Sequence, residues 1–355
     1  MARVTLQTIA DTVGVSRMTV SNAFSRPDQL SAELRRTILE AAGRLGYVGP
    51  DPAARALARG TTGAVGVLLT ESVGSAFSDP IAAGFFGALA EELAPTGLAL
   101  SLLPSLESAE TIPARDIPMD GALVYACAGD TAAIDWLVRR RLPLVFVDQA
   151  PTPGASSVLL DDRIGSRAAA QLLVDLGHAH VALLAFSSSG HVGDVPVPAD
   201  AGSGYVSRER VLGWLEPLER AGARITAVDL PINSEQDAAA AARRLLELPD
   251  RPTAFLCFSD VMAWGVLHAA RDLGLGVPED VSVIGFDDSA LASRVRPTLT
   301  TVRQDLAAKG RAAALALTAA IALDRSRSAA VPEHIRVATE LVVRDSTGPA
   351  PARLG

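Results

Sequence analysis

Four polar side chains near the amino terminus lie on one face of a short predicted helix: Arg17, Thr19, Ser21 and Asn22. Guanidinium, hydroxyl and carboxamide groups are those with which proteins hydrogen-bond the base edges and phosphate oxygens of DNA. A helix that turns such residues outward can enter the major groove with its N-terminal residues first. This spacing therefore indicates sequence-specific contact with DNA.

Two short helices joined by a tight turn must position this face. Apolar residues at helical spacing predict them: Ile9, Ala10 and Val13 in the first helix, and Val15, Val20 and Phe24 in the second. Gly14 can close the first helix in the left-handed conformation, and Ser16 can cap the second. A third amphipathic helix is predicted over residues 31–45. The three form a helix-turn-helix unit, and a plain helical hairpin with a solvated polar face is the alternative.

The charge distribution separates this head from the rest of the chain. Residues 1–60 contain eight arginines and five acidic residues, a net charge of +3, whereas the whole 355-residue chain carries −8. Residues 61–355 therefore carry −11. Because phosphate contacts supply much of the affinity for DNA, a basic head on an acidic body fits binding of DNA at one end. Random scatter of charge is the alternative.

Composition bounds the remaining function classes. The chain is 49% hydrophobic and long enough for two or more domains. It shows neither a signal peptide nor an apolar stretch of membrane-spanning length, so we expect a cytoplasmic protein. Cys127 and Cys257 are interpreted as core residues, and the five histidines lack metal-ligand spacing, so we expect no metal or cofactor. The sole lysine is Lys309, and the excess of arginine is interpreted as genomic base composition.

The segment 47–60 connects head and body and predicts a short helix of its own. Asp51 can cap this helix with Pro52 at its first position, and the helix would run through Leu57 to a stop at Gly60. A helix this short is unstable alone in water and needs a partner. A second copy of the same helix on DNA would supply one, and a plain interdomain linker is the alternative.

Beyond Gly63 the pattern changes to an alternation of strands and helices. Buried strands are predicted at 64–69, 99–103, 122–125, 144–147, 181–186, 254–258 and 281–286. Amphipathic helices are predicted between them, at 82–93, 163–176, 208–221, 235–246 and 261–273. This alternation predicts doubly wound parallel α/β sheets, and the length favours two lobes with a cleft between them.

Charged side chains stand where several of these strands end. Asp148 and Asp287 each end an apolar run, and Asp260 stands just before a predicted helix. Ligands of such folds bind outside the carboxyl ends of the strands. Arg210, early in a helix, is suited to meet a carboxylate across the cleft. Helix capping by Asp260 and a solvated position for Arg210 are the alternatives.

The head resembles the DNA-binding domain and hinge helix of the lactose-repressor (LacI/GalR) family of bacterial transcription regulators, and the resemblance covers essentially the whole chain. It implies base reading by Arg17, Met18 and Asn22. It implies backbone contacts from Thr5, Ser16, Thr19, Ser21 and Tyr47, and a minor-groove hinge of Ala54 and Leu57. Arginine can bond guanine, asparagine can bond adenine, and methionine can pack on a thymine methyl group. Asp51 departs from the asparagine that is usual in the family.

The body resembles the periplasmic sugar-binding fold of the same family. Leu176-Gly-His178 and residues 278–288 are similar to two of its signatures. The resemblance implies effector-binding positions at Asp79, Asp148, Arg210, Ser259 and Asp287. Residues 187–204 form a longer segment than is usual in the family, close to the expected cleft mouth, and a disordered loop is its alternative interpretation.

The same resemblance implies the domain boundaries. Residues 1–60 form the head, with the hinge helix at about 51–59, and residues 61–345 form the effector-binding and dimerisation core. Lobe one is expected to contain about 62–161 with 290–325, and lobe two about 162–289 with 326–345. Independently of the resemblance, proline and glycine in residues 346–355 predict a flexible tail, and no leucine heptad follows it that would form a tetramer.

The expected function is that of a ligand-responsive repressor. It would bind a near-palindromic operator in double-stranded DNA as a homodimer, and a small-molecule effector, preferably a sugar or sugar derivative, would shift the lobes and the hinge helices. Two other classes stay open. A solute-binding protein of the periplasmic fold would need a signal peptide and no helix-turn-helix. An α/β enzyme would need a phosphate-binding glycine loop or a nucleophile elbow, which the sequence lacks, so no enzymatic activity is expected.

Overall fold

The computed structural model consists of two compact units, Met1–Gly63 and Ala64–Gly355. It describes residues 4–49, 51–69, 73–105, 112–126, 131–187, 192–328 and 331–352. Cys127, which we interpreted as a core residue, lies outside these ranges. Cys257 lies within them and is buried as a free thiol.

The first unit contains the predicted head. Its helices are α1 (Leu6–Val13), α2 (Arg17–Ser25), α3 (Ala32–Arg44) and α4 (Pro52–Arg59). Apolar residues at helical spacing on the first three helices are buried together: Ile9, Ala10, Val20, Ala23, Ile38, Ala41 and Ala42. The predicted three-helix arrangement is confirmed, because one apolar stripe from each helix closes a common core.

The second unit alternates strands and helices. Its strands are β1 (Ala64–Leu69), β2 (Ala99–Pro104), β3 (Ala122–Tyr125), β4 (Leu144–Val147), β5 (Ser156–Leu160), β6 (His180–Phe186), β7 (Gly193–Val195), β8 (Arg224–Leu230), β9 (Ala254–Cys257), β10 (Ser282–Asp287), β11 (Thr300–Gln304), β12 (His334–Val337) and β13 (Thr339–Val342). Its helices are α5 (Val73–Ser78), α6 (Pro80–Leu93), α7 (Pro113–Asp116), α8 (Ala132–Arg139), α9 (Asp162–Asp175), α10 (Tyr205–Arg220), α11 (Glu235–Leu246), α12 (Asp260–Asp272), α13 (Ala290–Arg294) and α14 (Leu306–Ser326). All seven predicted strands and all five predicted helices are present, within a few residues of their predicted ends.

The strands form two sheets, each the centre of one lobe. Sheet one has the order β12-β5-β4-β3-β1-β2 and is parallel throughout. Sheet two has the order β13-β11-β10-β9-β6-β8-β7, and its outermost strands β13 and β7 are antiparallel to their neighbours. Apart from these two edge strands, the predicted doubly wound parallel architecture is confirmed. We call sheet one with its helices lobe one, and sheet two with its helices lobe two.

The structure corrects the predicted lobe boundaries after residue 290. Strand β11 was expected in lobe one but pairs with β10 in sheet two. Strand β12 was expected in lobe two but pairs with β5 in sheet one. The sequence does not show this division because β12 and β13 are short neighbouring strands, separated only by Ala338, that pair with different sheets.

The C-terminal segment is not the flexible tail that we predicted, at least over its described residues. Ser346 is fully buried, donates its hydroxyl to the carbonyl oxygen of Val283 at 2.6 Å and accepts the Thr300 N–H at 2.8 Å. Further along, the Ala350 N–H donates to the carbonyl oxygen of Leu176 at 2.9 Å. These bonds satisfy backbone groups of β10, β11 and the end of α9 in lobe two, and composition alone does not reveal such pairing.

Helix α14 is a core helix of lobe one. Its 21 residues and a mean hydropathy of 1.5 over its most apolar window would suit a membrane-spanning helix by length and composition, and it is the one helix of that kind among the described residues. It packs against α6 and sheet one through Ala313, Ala314, Leu317 and Ile321. Its apolar composition is therefore explained by packing within the lobe.

Part of the long segment 187–204 is ordered against lobe two. Strand β7 pairs with β8, and Arg244 forms an ion pair with Asp194 in that strand. The Gly202 N–H donates to the buried carboxylate of Asp229 at 2.8 Å. The described part of the segment thus forms an added sheet edge rather than a disordered loop.

Candidate functional site

In the first unit, the turn before α2 presents the N-terminus of that helix. Gly14 ends α1 in the left-handed conformation with φ of 76°, which a glycine adopts without strain. Ser16 then caps α2, because its Oγ accepts the Thr19 N–H at 3.0 Å. The sequence prediction of both caps is confirmed.

The predicted base-reading residues differ in how freely they are presented. Arg17 is exposed, and Met18 retains 70% of its side-chain surface. Asn22 is half-buried, and its Nδ2 donates to Oε1 of Gln29 at 3.1 Å. Arg17 and Met18 can therefore meet a partner directly, whereas Asn22 must share or exchange an existing hydrogen bond.

The predicted backbone-contacting residues also stabilise the head itself. Thr5 caps α1 in a reciprocal arrangement with Thr8. The ring of Tyr47 packs edge-on against Phe24, with ring centroids 5.6 Å apart. Ser21 is half-buried on the same helix as Arg17. The cap fixes the Thr5 hydroxyl, and the ring contact fixes the orientation of Tyr47.

Helix α4 carries an apolar residue that has no place in the core of the first unit. Asp51 caps the helix, because its Oδ1 accepts the Ala54 N–H at 3.3 Å. The aspartate thus fills the capping role in place of the family's usual asparagine. Leu57 leaves 87% of its side chain exposed, and Ala54 is exposed as well. An exposed leucine on a short capped helix is suited to insertion between base steps.

In the second unit, the carboxyl end of sheet one holds a buried ion pair. Asp148 follows β4 with φ of 57°, and its Oδ2 accepts a hydrogen bond from Nζ of Lys309 on α14. Lys309 is 1% exposed, and its ammonium also lies 5.4 Å from the ring centroid of Phe85. The other carboxylate oxygen of Asp148 is buried and has no hydrogen-bond partner among the described residues.

The close approach of two helices places this lysine. A Cβ atom at Gly310 would lie 2.6 Å from the Cβ of Ala88 on α6, so only glycine lets α14 pack this closely. Lys309 is the preceding residue, and its side chain extends to the end of β4. The helix contact thereby determines how far the ammonium reaches into the site.

Lobe two contributes a buried arginine at the carboxyl end of its own sheet. Arg210 on α10 donates through Nε to Oδ1 of Asp162 at 2.9 Å, and through Nη1 to the carbonyl oxygen of Phe258. Its guanidinium lies 3.5 Å from the ring centroid of Phe286. Nη1 is 3.7 Å from Oδ1 of Asp287. The guanidinium of Arg210 thus connects the start of α9 with the ends of β9 and β10.

Asp287 ends β10 in a strained backbone conformation with φ of 118°. Nε2 of Gln304 donates to its Oδ1 at 2.7 Å, while Oε1 of Gln304 is buried without a partner. Burial raises the pKa of Asp287 well above its ordinary value, although the charge of Arg210 opposes the rise. Strain and an orphaned acceptor at one place are typical of a ligand site.

The remaining two predicted effector residues are helix caps. Asp79 caps α6 by accepting the Ile81 N–H at 3.0 Å, and its charge adds to the rise in the pKa of Asp287. Ser259 caps α12 by accepting the Met262 N–H at 3.1 Å, and it donates to Oδ1 of Asn233 at 2.5 Å. Ser259 therefore uses its hydroxyl within the protein.

Asp260, whose role stayed open between capping and binding, has a structural role. Its carboxylate accepts from the Thr301 hydroxyl at 2.5 Å and from the N–H and hydroxyl of Ser289 at 2.7 and 2.8 Å. Burial raises its pKa to about 6. The carboxylate ties α12 to the segments after β10 and within β11.

Several site residues lie beside the crossovers between the lobes. Within the described residues, the chain passes from one sheet to the other after β5, after β11 and between β12 and β13. Asp162 follows the first crossover, and Gln304 and Lys309 flank the second. Asp161 and Thr339 join the first and third through a hydrogen bond of 3.0 Å. These side chains therefore lie next to the segments that connect the two lobes.

Sequence reasoning did not place Lys309, Asp162 or Gln304 in the site. Nothing in the sequence around Asp162 or Gln304 predicts a place in the site, because strand order decides which residues become their neighbours. The signal that could have found Lys309 was its status as the sole lysine, which we attributed to base composition. No cluster of residues suited to a metal ion occurs among the described residues.

Comparisons with known proteins match both units. A family described as bacterial regulatory proteins, lacI family, matches residues 5–49, and a periplasmic binding protein-like domain matches residues 170–347. An HTH-type transcriptional regulator of Mycolicibacterium smegmatis is 38% identical over 88% of this chain and 89% of its own length. The chain belongs to the LacI family.

Solved structures of LacI-family proteins share this fold. A lac repressor dimer bound to operator and the anti-inducer ONPF has a TM-score of 0.80 at 25% identity, covering 98% of this chain and 100% of that chain. A CelR–cellobiose complex has a TM-score of 0.67 at 27% identity, covering 97% and 100%. The resemblance stated from the sequence is confirmed, and this LacI-family protein is a DNA-binding transcription regulator rather than an enzyme.

Proposed function

We propose that this regulator is a repressor that binds a near-palindromic operator as a homodimer and is released or engaged by a sugar or sugar derivative. The observation that carries the proposal is a pair of buried acceptors at the carboxyl ends of the two sheets that have no donor among the described residues, in the same chain as a DNA-binding head. Asp148 Oδ1 and Gln304 Oε1 are such acceptors. Buried polar groups are nearly always satisfied, so a ligand with hydroxyl donors suits this site.

On the DNA side, the proposal assigns base reading to Arg17, Met18 and Asn22. The backbone of the duplex would be held by Thr5, Ser16, Thr19, Ser21 and Tyr47, and the minor groove would be entered by Ala54 and Leu57. The exposure of Arg17, Met18 and Leu57 supports these roles. Two heads on a near-palindrome require a twofold axis, which is the reason for proposing a homodimer.

On the effector side, the proposal assigns contacts to Asp148, Arg210 and Asp287, with Asp79 at the rim and Ser259 behind Asn233. The cellobiose complex of CelR supports a sugar-like effector for this fold. Because the site residues flank the lobe crossovers, binding there would favour one relative position of the lobes. The ligand changes operator affinity only by its difference in affinity for the two states.

Two measurements test the function. A gel shift of the full chain against the promoter beside its own gene should show a retarded complex that competitor DNA of scrambled sequence does not remove. Thermal denaturation with a panel of sugars and nucleobases should show stabilisation by a sugar. Equal affinity for the promoter and a scrambled duplex would refute sequence-specific regulation, and stabilisation by nucleobases alone would refute a sugar-like effector.

A further inference from the structure

Lys309 is exceptional among the cations of this chain. The sequence contains 32 lysine and arginine residues, of which it is the only lysine. Among the described residues, Arg210 and Lys309 are the only two of these side chains that are buried. Both lie at the proposed effector site, one in each lobe.

Fold stability does not explain a lysine at this position. Burying an ion pair removes two charges from water, and an apolar residue of similar size is often as stable or more stable. The neighbouring core positions of α14 are occupied by Ala313, Ala314 and Leu317. An apolar side chain at position 309 would continue that surface, so the ammonium is better explained by a binding role.

The ion pair has unused hydrogen-bonding capacity of both signs. An ammonium group has three donors, and within the described residues the only hydrogen bond from the Lys309 ammonium goes to Oδ2 of Asp148. In the part of the chain that the structure describes, Oδ1 of Asp148 has no donor, and neither has Oε1 of Gln149, the next residue in the sequence. A donor, the Lys309 ammonium, and an acceptor, the Asp148 carboxylate, therefore lie next to each other. They complement a ligand with two adjacent hydroxyl groups, of which one donates to the carboxylate and the other accepts from the ammonium.

The charges of the site disfavour an anionic ligand. Lys309 is paired with Asp148, and Arg210 is bonded to Asp162 and lies close to Asp287. Neither buried cation is left for a phosphate group, because each is already bonded to a carboxylate. A compact ammonium also lacks the planar fork with which arginine binds phosphate at two points.

We propose that Lys309 contacts the effector directly and, together with Asp148, selects a neutral compound with two adjacent hydroxyl groups against its phosphorylated form. This inference rests on the proposed function and adds the residue and the ligand class to it. It makes Lys309 a specificity-determining residue at the second lobe crossover.

The sole lysine allows a direct test on the unaltered protein. The full chain, produced with ¹³C,¹⁵N-labelled lysine and a lysine-free tag, yields one lysine side-chain signal by NMR. Ribose, glucose and cellobiose are added as neutral probes, and ribose 5-phosphate and glucose 6-phosphate as their charged counterparts. At least one neutral probe should shift the Cε and Nζ resonances in a saturable manner, and its phosphate should not. No shift with any neutral probe, or an equal shift with the phosphate, overturns the inference.

Variants then separate a contact from a structural effect. Lys309→Met should weaken binding of the neutral probe at least about tenfold, as expected for a lost hydrogen bond to a charged group. The matched control is Arg311→Met, because Arg311 lies on the same helix in an exposed ion pair with Glu92, and it should bind as the wild type does. If Lys309→Met does not fold, Asp148→Asn/Lys309→Met is compared with Asp148→Asn alone, and the double variant should bind the neutral probe more weakly. Unchanged affinity in the folded variant overturns the inference.

Failure of this inference is distinguishable from failure of the proposed function. A neutral probe that stabilises the protein and alters operator binding, without moving the lysine signal, leaves the function standing and removes Lys309 from the site. A protein that binds no operator fails as a regulator whatever the lysine signal shows. The two measurements therefore report on separate claims.

Discussion

Replacing Leu57 with alanine should weaken specific operator binding far more than non-specific binding. The leucine side chain is 87% exposed in the structure, so its removal should change the free energy of unfolding by no more than about 0.5 kcal/mol. Its role would lie in the complex, where an inserted apolar wedge widens the minor groove and bends the duplex. Non-specific binding depends on phosphate contacts, which the substitution leaves in place.

The size of the effect follows from burial of the side chain. Burying a leucine fully is worth about 1.5–3 kcal/mol, and a dimer inserts two, so the loss should reach about 3–6 kcal/mol. At about 1.4 kcal/mol for each factor of ten, this corresponds to an increase in Kd on the order of 10²- to 10⁴-fold. If the leucine side chains are only partly buried on DNA, the increase in Kd should lie near the lower end of this range.

Fluorescence anisotropy with an operator duplex and a scrambled duplex, at one fixed salt concentration, measures both affinities. Leu248→Ala is the matched control, since it removes the same atoms from an exposed site in the second unit and should leave both affinities unchanged. Thermal denaturation of both variants shows that the fold is intact. Equal losses on the two duplexes would refute the wedge role of Leu57.

Three further outcomes are expected. Arg17→Ala should cost about 1–3 kcal/mol for each half-site and relax the preference at one base pair, as measured by competition with duplexes substituted at each position; an unchanged preference would exclude base reading. Asp287→Asn should abolish the effect of the sugar on operator affinity in anisotropy titrations while leaving DNA binding intact, and a retained effect would remove Asp287 from the site. Because burial raises the pKa of Asp260 to about 6, the folded state binds its proton more tightly than the unfolded chain. The stability that this group contributes is therefore fully present below about pH 4 and lost as the pH rises to about 6. Urea denaturation measures the free energy of unfolding of the wild type and of Asp260→Asn. The value for the wild type minus that for Asp260→Asn should fall between about pH 4 and pH 6. A difference that stays constant with pH would contradict the raised pKa of Asp260.

Local patterns were sufficient for the head and for most of the sheets. The helix caps at Gly14 and Ser16 were predicted because capping depends on residues a few positions apart. The strands 64–69, 122–125 and 144–147 were predicted with their observed ends because buried parallel strands are continuous apolar runs. Strands β8 and β12 were missed because charged residues interrupt their apolar pattern.

The errors in domain organisation have a common physical cause. The expected lobe boundaries assumed that neighbouring segments stay in one lobe, whereas β12 and β13 diverge at Ala338. The expected flexible tail was inferred from glycine and proline, whereas Ser346 is buried by hydrogen bonds to distant strands. Strand pairing uses backbone groups, which nearly every sequence supplies equally, and the partners of the Ser346 hydroxyl are distant in the sequence.

The sequence by itself determined that this protein has a DNA-binding head, a short helix after it and an α/β body with acids at the strand ends. Those features depend on periodicity and on neighbours within one helix or strand. Only the tertiary structure decided which charges meet: Lys309 reaches Asp148 across 161 residues, and Arg210 reaches Asp162 across 48. Such contacts depend on strand order and on the close packing of α14 against α6, and distances of that kind are set by the assembled core.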